Sequence, residues 1–204
     1  METSKININK LIDRYKNYRC IIDSVIPESI CSDDIENRQL IKDVPNWNYI
    51  PSEIDDIEHL LKDLSKERRT KLSFLDIGCG MPLIPSIVSN MPCINRNKCR
   101  GIEYNKKLHE YIETTFWGRL FPVFFANAFE YDNYSDYDIL FTNMPVKGES
   151  EMSELITYIL NNIRKDAIFY ACIYFEYILP VHLEKKIKVK KIFHLYKFTR
   201  IVRE

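Results

Sequence analysis

Residues 72 to 80, Leu72-Ser73-Phe74-Leu75-Asp76-Ile77-Gly78-Cys79-Gly80, constrain this chain more than any other segment. An apolar run of this length reads as a buried strand, and it runs out into two glycines spaced G-x-G. Glycine at such a turn lets the backbone bend sharply and pass close to a ligand, because no Cβ intervenes. A segment of helical character follows, Leu83 to Asn90, and the unpaired N–H groups of a helix start favour an anionic group. Strand, glycine turn and helix together predict a nucleotide-like cofactor site.

From Thr70 onward the periodicity alternates between strand and helix. Apolar runs predict strands over 72–77, 100–104, 121–125, 137–142 and 167–175, with helices over 83–90, 105–117, 150–164 and 176–185. Continuous apolar strands separated by helices predict a parallel sheet covered on both faces. Lys188–Leu195 and Lys197–Val202 follow one another without a helix, which predicts an antiparallel hairpin closing the sheet. Before Thr70 the pattern is helical: Ile8, Leu11, Ile12, Tyr15 and Tyr18 predict a helix near 5–20, and a shorter one is expected after Ser32. Pro45 and Pro51 bracket a loop containing Trp47 and Tyr49. Ser52 and Asp55 form a candidate capping pair for a helix through about Ser65, with Ile54, Ile57, Leu60, Leu61 and Leu64 as its apolar stripe. We divide the chain into a helical extension or cap, residues 1–52, and an α/β domain, residues 53–204.

At 204 residues the chain can bury a full core without disulfides or metals. Its 29 basic and 29 acidic residues cancel, so no global field draws it to nucleic acid or to anionic lipid. The charge is segregated, however: residues 26–64 are acidic and residues 185–203 basic. Two complementary solvated faces account for that pattern, and the alternative is a basic tail that meets phosphate. The 6 cysteines include no C-x-x-C pair, and the 4 histidines are scattered, so no zinc pattern is present. The polar N-terminus and the absence of a long apolar run give the expectation of a cytoplasmic protein without a membrane span.

Which cofactor the turn serves is narrowed by two further positions. The third glycine of a dinucleotide fingerprint would fall at residue 83, which is Leu. The next strand ends Gly101-Ile102-Glu103-Tyr104, which sets a carboxylate where it can accept hydrogen bonds from both hydroxyls of a ribose. Leu75-Asp76-Ile77-Gly78-Cys79-Gly80 together with Glu103 resembles the class I S-adenosylmethionine (SAM) dependent methyltransferases. That resemblance implies a Rossmann-like methyltransferase fold with a mainly parallel seven-stranded sheet. It also implies that Asp76 and the backbone of Gly78, Cys79 and Gly80 hold the methionine part of SAM. Glu103, with Tyr104 beside it, would hold the ribose, and Asn127 and Ala128 would meet the adenine edge. Tyr49-Ile50-Pro51-Ser52 resembles a signature that folds over the cofactor in several such enzymes, which adds Tyr49 to the expected site.

Asp138-Ile139-Leu140-Phe141-Thr142-Asn143-Met144-Pro145-Val146 resembles, in degenerate form, the Asn-Pro-Pro-Tyr signature of enzymes that methylate amide or base amino nitrogens. The resemblance implies that Asn143 and the backbone near Pro145 hold the acceptor nitrogen in line with the methyl group. Catalysis would then consist mostly of alignment. Met144 stands where the family has its first proline, and Val146 where it has a ring that stacks on the target. The loss of that ring argues against a flipped base. Pro82 replaces a frequent third glycine and is comfortable at a helix start. The expected function is methyl transfer from SAM to an acceptor that the sequence does not identify (protein, small molecule or nucleic acid), with an amino or amide nitrogen as one class. The alternatives are a SAM-fold binding or regulatory protein without transferase activity and a nucleic-acid-directed methyltransferase.

Overall fold

The computed structural model describes residues 6–26 and 52–201. The helix expected after Ser32, the loop with Trp47 and Tyr49, and the last residues of the chain lie outside them. Element numbers below run over the described residues. One mixed sheet forms the centre, with strands in the order β3-β2-β1-β4-β5-β7-β6. The strands are β1 (Leu72–Ile77), β2 (Ile94–Glu103), β3 (Val123–Phe125), β4 (Ile139–Asn143), β5 (Ile168–Cys172), β6 (Ile187–Ile192) and β7 (Leu195–Arg200). The first five run parallel, and β7 turns antiparallel to both β5 and β6. The expected seven-stranded Rossmann-like sheet and its closing hairpin are therefore present.

Buried strands dictate this layering. Every residue of β1 and β5 is buried, as a strand covered by helices on both faces requires. On one face lie α1 (Ile8–Val25), α2 (Ile54–Leu64) and α3 (Leu83–Val88), whose apolar stripes share a core with Phe74, Phe141 and Tyr170. On the other, α6 (Glu149–Asn162) contributes Met152, Leu155, Ile156 and Ile159 beneath Leu75, Leu140 and Phe169. Helix α1 belongs to this core: Leu11, Ile12, Tyr15 and Ile22 are all buried in it. Two short helices, α4 (Lys106–Thr114) and α5 (Phe116–Leu120), follow β2, and α7 (Val181–Glu184) precedes the hairpin.

The departures from expectation have local causes. The single helix expected over 105–117 breaks at Thr115, an extended residue that closes α4 and caps α5 by accepting the Gly118 N–H. The helix expected over 176–185 shrinks to α7, because Pro180 disfavours helical backbone at the residue before it. Strand β2 begins at Ile94 rather than near 100. Its pairing with β1 jumps from Leu72–Ile94 to Phe74–Cys99, so the polar stretch 95–98 bulges out and hides the strand from its pattern. Glu53, not Ser52, is the N-cap of α2, and it makes no side-chain cap bond. Helix α3 stops at Val88, where Asn90 donates its amide to the Ser86 carbonyl and closes the last turn.

The segregated charge pairs up in part. Lys197 on β7 meets Asp63 on α2 at 2.6 Å, and the Tyr170 hydroxyl donates to the same carboxylate at 2.7 Å. Lys188, Lys190 and Lys191 lie exposed on β6, the sheet edge, where charge discourages pairing with another strand. No helix among the described residues is long and apolar enough to cross a membrane.

Candidate functional site

The parallel strands end together, and the cleft lies at their carboxyl ends, between the first and fourth strands of the chain. Gly78 and Gly80 adopt φ of +68° and +50°, the left-handed region that glycine enters without cost. A Cβ on Gly78 would overlap the Cβ of Pro145, so the turn after β1 packs directly on the loop after β4. The Gly78 and Cys79 N–H groups both donate to the Ile102 carbonyl, at 2.9 and 3.0 Å, which ties the turn to β2. Gly101 makes room for the Cys79 side chain: a Cβ there would overlap the Cys79 sulfur. Burial pushes the Cys79 thiol well up, so it packs as an apolar group and not as a thiolate.

Two carboxylates face this turn. Glu103 accepts the N–H of Gly80 at 2.9 Å and those of Tyr104 and Asn105 at 2.8 Å each. Desolvation pushes its carboxyl up, and these bonds hold it back without cancelling the rise. Asp76 at the end of β1 is 2% exposed, and its Oδ2 has no hydrogen-bond partner. Burial first, and the nearby Glu103 charge second, push the Asp76 carboxyl well above the usual range. A buried carboxylate oxygen without a donor is costly, and a cationic group in the cleft would satisfy it.

The other walls come from the ends of β3 and β4. After β3, the Asn127 side-chain oxygen accepts the Phe129 N–H at 3.0 Å, and the Ala128 carbonyl accepts the Tyr134 hydroxyl at 2.7 Å. These bonds hold 127–129 as an ordered rim. The Tyr104 ring stacks on Phe125 at 5.5 Å, nearly parallel. Strand β4 ends at Asn143, Met144 at φ +39° and Pro145 follow, and Val146 turns inward and is buried in the core. A left-handed Met is strained, and it lets Pro145 approach Gly78.

The cavity enclosed has a volume of about 290 Å³. Every site residue expected from the sequence lines it, except Tyr49, which lies outside the described residues. Several lining residues had no sequence signal of function. Tyr15 reads in the sequence as one more member of the α1 stripe. Its hydroxyl donates to the Ser52 carbonyl at 2.5 Å and so fixes the entry to α2, where Ser52 and Glu53 line the cavity. Tyr174, just past β5, forms part of the wall beyond Asn143. In the sequence Tyr174 falls inside the apolar run expected as a strand over 167–175, and only the end of β5 at Cys172 frees it for the cleft.

No family model matches the sequence, and no curated protein matches it. Solved structures share its fold at low identity. A candidate rRNA methylase from Clostridium thermocellum superposes with a TM-score of 0.54 at 10% identity, covering 76% of this chain and 99% of the other. An RNA methyltransferase from Salinibacter ruber, in complex with S-adenosylhomocysteine, gives a TM-score of 0.50 at 12% identity, covering 76% and 95%. The YcgJ protein of a Bacillus species gives 0.47 at 17% identity, and there this chain spans half of the matched chain, with 58% of its own length covered. Strand order and the first two of these likenesses agree on the Rossmann-like methyltransferase fold.

Proposed function

We propose that this protein binds S-adenosylmethionine in the cleft between the β1 and β4 ends and transfers its methyl group to an acceptor presented beside Asn143. The observation that carries the reading is the partnerless Oδ2 of the buried Asp76 at the end of β1, facing the same glycine turn as the Glu103 carboxylate at the end of β2, which accepts three N–H groups. The residues fit the cofactor: its ammonium is the cation Asp76 lacks, and a ribose hydroxyl suits the Glu103 lone pair that the three N–H donors leave open. When bound, the cofactor supplies an electrophilic methyl on a positively charged sulfur.

The chain's own groups have three tasks. Asp76 and Glu103 orient the two ends of the ligand, and the turn at Gly78 and Gly80 admits it at short range. Asn143 can offer an amide oxygen and an amide N–H to an acceptor, which supports an amino or amide nitrogen as the group it holds. The interior position of Val146 leaves no stacking ring at that point of the loop, which favours an acceptor other than a flipped base. Alignment of the acceptor can supply several kcal/mol of rate enhancement without a strongly tuned base.

Calorimetric titration with SAM and with S-adenosylhomocysteine tests the reading. Both should bind, and Asp76→Asn should weaken either by about 10-fold or more, the loss expected for a charge-assisted bond. No binding of either ligand to the native protein would overturn the proposal. Binding without turnover on any protein, RNA or small-molecule acceptor would favour a SAM-binding regulator.

A further inference from the structure

Beside the cofactor cleft, three side chains from separate elements converge where no motif placed them. Asp56, in the first turn of α2, is wholly buried, and its Oδ1 has no partner. Its Oδ2 accepts a long hydrogen bond from the Tyr174 hydroxyl at 3.5 Å, and His194 Nδ1 lies 3.9 Å from the same oxygen. That His194 nitrogen is itself buried without a hydrogen bond. The Tyr174 and His194 rings contact each other, with centroids 4.5 Å apart.

The topology explains the meeting. Asn143 pairs with Cys172, and Cys172 with Leu195, so the segments after β4 and β5 and the turn between β6 and β7 reach the same end of the sheet. Ile173 donates its N–H to the His194 carbonyl at 2.9 Å and holds that turn in place. Tyr174 is 48% exposed and lines the cavity with Asn143, whereas Asp56 stands behind it.

We propose that Tyr174 faces the methyl acceptor and that Asp56 and His194 behind it take up the proton which the acceptor loses, so that the acceptor is an N–H or O–H group. This inference rests on the cofactor reading above. In the step, the lone pair of the acceptor atom forms a bond to the methyl carbon, and the carbon–sulfur bond breaks with its electron pair left on sulfur. The acceptor proton passes to the Tyr174 oxygen while the Tyr174 proton passes to Asp56 Oδ2. One proton is thereby moved and Tyr174 is regenerated. His194, 38% exposed by its side chain, connects the resulting acid to solvent. Tyr174 is the contact residue, and Asp56 and His194 act through it.

The charge environment suits that role. Burial pushes the Asp56 carboxyl up, which makes it a better proton acceptor than an exposed aspartate. His194, His59 and the Tyr174 bond oppose the rise, and Glu53 adds to it. Cys172 on β5 faces the same carboxylate as a buried, protonated thiol. Burial and the Asp56 charge keep the Tyr174 hydroxyl protonated, so it passes a proton on and does not serve as a phenolate base.

The test requires no acceptor. SAM and S-adenosylhomocysteine differ by one methyl and one positive charge, and a carboxyl near the transferring methyl must feel that difference. The Asp56 carboxyl carbon is followed by NMR against pH in each complex and assigned by its loss in Asp56→Asn. Its pKa should be lower with SAM by about half a unit or more, because a nearby cation favours the carboxylate. Tyr174→Phe should raise the Asp56 pKa in both complexes while homocysteine-ligand affinity stays within about twofold. His194→Gln, on the turn, should raise it as well and gives a second route if the first variant unfolds.

Equal Asp56 titrations in the two complexes would overturn the inference while leaving cofactor binding intact. Loss of ligand affinity in a folded Tyr174→Phe would also overturn it, by making Tyr174 part of the cofactor site. Failure of the native protein to bind either ligand removes the cofactor reading and this inference together.

Discussion

Gly78 and Pro145 touch across the cleft so closely that no side chain fits between them: a Cβ on Gly78 would overlap the Cβ of Pro145. The relationship joins the turn after β1 to the loop after β4, and so the proposed cofactor end to the proposed acceptor end.

Gly78→Ala should therefore fail on two counts. A residue with a Cβ at φ +68° is strained, and its methyl collides with a proline ring. The combined cost is about 2–4 kcal/mol, read as a lower denaturant midpoint with unchanged m-value. Pro145→Gly in the same chain should recover the collision part and leave the backbone part. Simple additivity of the two substitutions would show that the contact does not matter.

Glu103→Gln tests the carboxylate that organises the turn. The replacement amide has one acceptor where three N–H donors of Gly80, Tyr104 and Asn105 now converge. At least one donor loses its partner, at about 1–3 kcal/mol. Thermal unfolding should fall, and S-adenosylhomocysteine affinity should drop about 10-fold or more. Unchanged affinity would remove Glu103 from the site.

The pH dependence of binding should carry the signature of Asp76. Its folded carboxyl is raised, chiefly by burial, so its contribution to the stability of the ligand-free protein is fully present below the ordinary carboxylate range. That contribution is lost as pH rises through the raised value. A cationic ligand group reverses the preference, so SAM affinity should increase with pH across that window. Asp76→Asn should flatten the increase in a calorimetric series at several pH values. A variant with the wild-type slope would assign the dependence to another group.

Asp63 makes the opposite prediction at the C-terminal end of α2. Burial raises its carboxyl, but hydrogen bonds from Lys197 and Tyr170 outweigh that and leave it lowered. Its contribution is present above the unfolded pKa and is lost as pH falls through the folded one. Lys197→Met should cost about 1–2 kcal/mol near neutral pH, allowing for partial exposure of the pair. The loss should shrink in strong acid, where Asp63 is protonated with or without its partner. Chemical denaturation at two pH values checks this.

What could be read from the residues alone was whatever depends on neighbours along the chain. The apolar run into Gly78 and Gly80 fixed β1 and its turn, and alternation after Thr70 gave the sequence of strands and helices. A carboxylate at the end of the next strand identified Glu103, because strand ends on one side of a parallel sheet share a cleft. Breaks at Thr115 and Pro180 were local too, but helical periodicity masked them.

Only the tertiary structure decided which distant residues meet at that cleft and behind it. Asp56 and Tyr174 are 118 positions apart, and Tyr15 and Ser52 are 37 apart. Their contact follows from strand order, from the pairing of Asn143, Cys172 and Leu195, and from the packing of α1 and α2 on one sheet face. No local propensity encodes these juxtapositions, since each side chain obeys its own helix or strand period. Burial then gives them their chemistry: a carboxylate such as Asp56 is ordinary in a solvated helix turn and becomes a proton acceptor only when the fold removes its water.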